Sequence, residues 1–148
     1  AQWQWLEAQL REPAELRLVA SSLQVLADFP GWEGWINYPR NQARLFELIR
    51  GTGANGVVFL SGDTHYGELT VLDVNVPYPL VDITSSGLTE EWNVPVPNAL
   101  RVGTAFNRAN FGLVEIDWAQ GTVGLSLRDV EGKRLLEHSL RLDALRAR

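Results

Sequence analysis

Apolar positions change their spacing along this chain, from a helical period at the start to strand-like runs further on. Trp3, Leu6 and Leu10 recur at helical spacing and predict an amphipathic helix to about Arg11, where Pro13 blocks continuation. Leu16 to Ala20 reads as a strand leading into Ser21–Leu26. Residues 28–39 form a loop rich in Pro, Gly and aromatic residues, among them Trp32, Trp35 and Tyr38. Asn41 is placed to cap a helix whose face carries Leu45, Leu48 and Ile49 and which Gly51 and Gly53 end. The apolar run Gly56–Ser61 then reads as a fully buried strand. Strand, aromatic loop, helix and strand make a parallel crossover unit, which is right-handed.

The second half predicts strands only. They are Leu69–Val74, Leu80–Thr84, Phe111–Asp117, Thr122–Arg128 and Leu135–Leu140, with hairpin signals at Gly121 and Gly132. This half reads as an antiparallel β-meander. Residues 88–108 form a Pro/Asn-rich loop, and loops of that length are usually functional or flexible. Asp143 to Arg148 reads as a polar tail. The fold class is α/β (α+β): one partial domain over 1–148, with a mixed sheet, one crossover helix and a meander, short of a complete layered architecture.

Composition narrows the partners. Net charge is −5 with no Lys/Arg block, which argues against nucleic acid or an anionic membrane surface. Cysteine is absent, which excludes a disulfide framework, a zinc-thiolate site and a cysteine nucleophile. No apolar run approaches the ~20 residues of a membrane span, and no signal-peptide pattern opens the sequence. Met is also absent, and the first helix begins without a cap. The N-terminus is therefore expected to cut through a larger unit.

The candidate chemistry lies in Gly62-Asp63-Thr64-His65, at the end of the buried strand. A glycine there permits a sharp turn and close approach to a ligand. If the segment is extended, Asp63 and His65 project to the same side. A carboxylate and an imidazole at a strand end make half of a divalent-metal site. The plain alternative is a strand-end turn with a solvated Asp and a packed His.

Taken in order, several segments resemble the C-terminal half of the alkaline phosphatase D (PhoD-like) family of calcineurin-like metallophosphoesterases. They are Gln2–Glu7, Ser21–Leu26, Trp35 with Tyr38-Pro39 and Arg44-Leu45, Val58–Leu69, Asp82–Thr89 and Asn110–Trp118. The resemblance implies a four-layer α/β/β/α sandwich, of which this chain forms the C-terminal half. It implies a binuclear metal centre at strand ends, of iron, calcium, zinc or manganese, that hydrolyses phosphate esters. Asp63 and His65 stand where the superfamily's last Gly-His-x-His motif supplies ligands, with Asp63 replacing the first histidine. Gln24 is expected to end the strand before the crossover, where the superfamily often has another metal-ligand histidine, and as a neutral amide it is expected to contact substrate or hold a water. Export to the periplasm or cell exterior is implied by the same likeness.

The family's Asp-x-His, Gly-Asp and Gly-Asn-His motifs are missing from this sequence. An N-terminal half or a partner chain is therefore needed to complete the site, and this chain by itself is expected to be inactive. Ser85 and Ser86 either present hydroxyls to a phosphate or end a strand at a glycine turn. Arg101 and Arg108 either meet a phosphate bidentately or are solvated loop arginines. His138 reads as a surface strand residue. Trp32, Trp35 and Tyr38 read as a packed loop cluster or a pocket lining. The competing reading of the whole chain is a non-catalytic β-rich domain that binds a partner or forms a homo-oligomer to cover an exposed sheet.

Overall fold

A computed structural model describes residues 1–147; Arg148, the last residue of the expected polar tail, lies outside the described residues. Helix α1 spans Gln2–Arg11 and ends at Glu12, one residue before Pro13. Strand β1, Arg17–Ala20, is followed by an irregular stretch with a short 3-10 turn at Trp35–Asn37. Helix α2 spans Pro39–Thr52. Asn41 therefore lies inside its first turn and does not cap it. Pro39 starts the helix instead, since its fixed φ is preset for that position. Gly51 remains helical, and Gly53 alone makes the left-handed stop, at φ 65°.

The strands that follow are β2 (Val57–Ser61), β3 (Gly67–Leu72), β4 (Leu80–Ser85), β5 (Arg101–Phe106), β6 (Asn110–Asp117), β7 (Thr122–Asp129) and β8 (Arg134–Arg141). Five strands form a mixed sheet in the order β1-β2-β4-β3-β5. β1, β2 and β4 run parallel, and β3 is antiparallel to both β4 and β5. β6, β7 and β8 form a separate antiparallel sheet joined by hairpins.

The meander thus covers only the last three strands. β3 and β4 join the first sheet because β4 is buried on both faces along almost its whole length, as a central strand must be. β5 falls inside the expected 88–108 loop. Its apolar alternation is interrupted by Gly103 at φ 71°, and its register against β3 shifts between Gly67 and Leu69.

Register sets the layers. Val19 and Phe59 are paired, and they share a groove with Trp3 and Leu6 of α1 and Leu45 of α2. That face of the mixed sheet carries the helices. On the other face, Ile83 and Ser85 meet β6 at Gly112, Gly67 meets Leu127 of β7, and Gly103 meets Leu136 of β8. The three-stranded sheet therefore lies over β4, β3 and β5. One apolar cluster runs through all three layers, from Leu10 and Ile49 through Phe59, Leu69 and Ile83 to Leu125 and Leu127. At ~25 cal/mol per Å² of buried apolar surface, this cluster is the main stabilising term. The segment read as a polar tail contains a buried Leu145, whose carbonyl accepts the Gly56 amide at 2.8 Å. The mixed sheet, the crossover helix and the terminal meander expected from the sequence are all present.

Candidate functional site at the carboxyl ends of the parallel strands

Three parallel strands point the same way, so the segments leaving β1, β2 and β4 meet at one sheet edge. These segments are Ser21–Gln24, Gly62–Tyr66 and Ser86–Leu88. In open α/β sheets ligands bind outside the carboxyl ends of the strands. Gly62–Tyr66 has a particular task there. It carries the chain from β2 to β3, which are not neighbours, across the end of β4. Two strand spacings are ~10 Å, and five residues must span them.

The turn does so with Asp63 at φ 72° and His65 at φ 58°. Asp and His tolerate the left-handed region better than most residues, and such conformations gather at functional sites. The segment is therefore not extended. The period-two argument that put both side chains on one side does not hold, because β2 ends at Ser61.

The bonds that fix the turn run through its main chain. The His65 amide donates to Ser86 Oγ at 3.0 Å, and the Trp92 amide donates to the His65 carbonyl at 2.9 Å. The Ser86 amide donates to the Tyr66 carbonyl at 3.3 Å. Thr64 is buried, with its hydroxyl 3.4 Å from that of Ser86. Asp63 is left exposed and His65 half-buried.

The other expected site residues separate. Ser86 sits beneath the turn. Ser85 lies on the opposite sheet face and donates to Asn110 Oδ1 at 3.1 Å. Arg108 is exposed, and its carbonyl accepts Asn110 Nδ2 at 2.8 Å. Gln24 is not at the end of β1, which stops at Ala20. It is buried, and its amide donates to Glu68 Oε1 at 2.6 Å and Thr84 Oγ1 at 3.0 Å. Those bonds are internal to the fold. His138 is half-buried on β8, and burial lowers its pKa.

A polar network under the turn was not legible as a site. Glu68 is fully buried and accepts from Gln24, from Asn98 at 3.0 Å and from Arg101 Nε. Arg101 is therefore engaged by a carboxylate and not free for phosphate. Asp82, also buried, accepts the Val25 and Leu26 amides at 2.7 and 3.2 Å and the Ser61 hydroxyl at 2.6 Å. Burial raises its pKa against those three bonds. The signal in the sequence was a lone carboxylate inside Leu80–Thr84: a charge within a buried strand requires partners. The Tyr66 hydroxyl is buried without a hydrogen-bond partner. Burial foremost, then the nearby Glu68 charge, push its pKa up to about 12, against the opposing charge of Arg101.

Two loops close over this edge. Asp28 Oδ1 accepts the Ala99 amide at 2.9 Å, joining the crossover loop to the long loop. Trp32 of the first and Trp92 of the second stand 5.2 Å apart between ring centroids, tilted by 42°. Trp35 does not join them. It packs edge-on against Trp3 at 6.4 Å, and its indole N–H donates to Ser21 Oγ at 3.1 Å.

Asp63 and His65 suit a metal as one hard oxygen and one borderline nitrogen on a constrained turn. Among the described residues, no group of three or more His, Cys, Asp or Glu is gathered as a metal would need. Asp63 and His65 alone are too few to make a metal centre. Among the described residues no helix is long and apolar enough to cross a membrane.

The architecture is that of a layered α/β sandwich, with the Gly62–Tyr66 turn at the carboxyl ends of its parallel strands. A solved structure of PhoD is similar to it, with a TM-score of 0.72 at 15% sequence identity, over 99% of this chain and 34% of that one. The chain thus spans about a third of the length of that structure. At this identity the likeness establishes the fold, which is the one expected of the C-terminal part of a PhoD-like protein. No protein-family model and no curated protein matches the sequence.

Proposed function

We propose that this chain is the C-terminal part of a metal-dependent phosphate-ester hydrolase, a phosphomonoesterase or phosphodiesterase. Its role is to supply Asp63 and His65 to a centre completed by polypeptide outside this chain. The carrying observation is the Gly-Asp-Thr-His turn, held in a left-handed conformation over the ends of three parallel strands, in a PhoD-like fold.

When bound, a divalent or trivalent metal pair supplies charge neutralisation at the phosphoryl oxygens and acidifies water. This chain's own residues orient. Ser86 and the Trp92 amide lock the His65 main chain from both sides, so the imidazole is presented from a rigid base. Asp63 offers an anionic oxygen on the exposed side of the same turn. Gln24 holds Glu68 and Thr84 beneath it and does not reach toward substrate. An exported location goes with the same reading.

The test is to express the full-length protein and measure bound metal together with hydrolysis of p-nitrophenyl and bis-p-nitrophenyl phosphate. Asp63→Ala and His65→Ala are expected to lower metal content and to lower kcat at least about a hundredfold. Full activity and full metal occupancy in both variants would sink the proposal.

A further inference from the structure

We propose that Trp32 and Trp92 together form a stacking platform for a flat aromatic group carried by the phosphate ester. This rests on the hydrolase reading above and narrows its substrate class. The two rings come from the two loops that leave the carboxyl ends of β1 and β4, so the topology delivers both to the edge that carries Asp63 and His65. Trp92 is tied directly to that edge, its amide bonded to the His65 carbonyl at 2.9 Å.

Buried aromatic rings pack cores, but these rings stay open. Trp32 is 36% exposed and Trp92 42% exposed although they touch each other. They are also held in place before any ligand arrives. The Asp28–Ala99 bond links the two loops, and Asn37 Nδ2 donates to the Trp32 carbonyl. A shallow, open depression beside Trp32 is lined by Pro30, Gly31, Glu33 and Asn37. The Glu33 carboxylate, an anion and an acceptor, makes that depression unfavourable for the phosphate itself and suitable for a neutral ring bearing N–H or O–H donors. The phosphoryl end then lies toward His65 and the ring toward Trp32. Stacking on such rings contributes enough to shift affinity about tenfold.

The experiment compares full-length wild type with Trp32→Ala, Trp92→Ala and Trp92→Phe. The first readout is preference, the ratio of kcat/KM for p-nitrophenyl phosphate to that for glycerol 2-phosphate. Either alanine variant is expected to lower this ratio about tenfold, through KM, and Trp92→Phe to restore most of it. The second readout is quenching of tryptophan fluorescence by adenosine, which carries a ring and no phosphate. Quenching is expected in the wild type and is lost in both alanine variants. An unchanged ratio, absent adenosine quenching, or shielding of both tryptophans from acrylamide by other polypeptide each overturns the platform. Adenosine quenching without hydrolysis of any ester upholds the platform and removes the hydrolase reading instead.

Discussion

The Ser86 hydroxyl accepts the backbone amide of His65 at 3.0 Å, so the end of β4 fixes the turn that leaves β2. Ser86→Ala removes the acceptor and leaves a half-buried amide unpaired. The expected loss is about 1 kcal/mol of stability. It should be local: amide exchange at His65 rises well beyond that of the β2 amides. Equal exchange rates in variant and wild type would show that Ser86 does not hold the turn.

Glu68 gathers donors from three segments, and Arg101 is its charge partner. Glu68→Ala leaves a guanidinium that is 19% exposed without its carboxylate, at an expected cost of about 3–5 kcal/mol. Asn98 and Arg101 anchor the end of the 88–100 segment, so limited proteolysis should cut there first in the variant. An unchanged cleavage pattern would place the network's role elsewhere.

Asp82 gives a pH signature. Burial raises its pKa, so the folded state keeps the proton over a window that begins near the ordinary 3.8 and ends at the raised value. Its favourable contribution is complete below that window and is lost as pH rises through it. Asp82→Asn retains an acceptor for the Val25 and Leu26 amides and does not titrate. In denaturant unfolding from about pH 4 to about pH 7, the asparagine variant should gain on the wild type as pH rises. A constant difference across that range would mean that the carboxylate is as well solvated by its three donors as by water.

Much of this fold could be read from spacing alone. Leu45 and Ile49 marked one helix face, and Val57–Phe59 marked a buried strand, because burial leaves a period in the sequence. β5 left none: Gly103 breaks its alternation, and its pairing with β3 is fixed by tertiary contacts. The place of β4 between β2 and β3 is also a long-range choice that no local pattern encodes. The candidate site could be marked at Asp63 and His65 as residue types, but the geometry of the turn that carries them could not. An isolated strand end suggests an extended segment, and only the need to cross β4 turns both residues left-handed. The place of Gln24, beyond the end of β1 and bonded inward, was not legible for a related reason. Its neighbours in sequence are a strand and a loop, whereas its partners Glu68 and Thr84 are supplied by strands far along the chain.

The strand order β2-β4-β3 also constrains how the site comes into being. β3 and β4 are close in sequence and pair as a hairpin, which is a local and rapid event. The hairpin itself brings Ser86 opposite Tyr66, but Gly62–Tyr66 gains its second fixed end, and so closes, only when β4 docks onto β2. The left-handed turn is thus a late product of folding, set by assembly and not by its own five residues. Changes in it should speed unfolding more than they slow folding. Mutation can therefore explore the chemistry of this turn while leaving intact the chain's ability to find its fold.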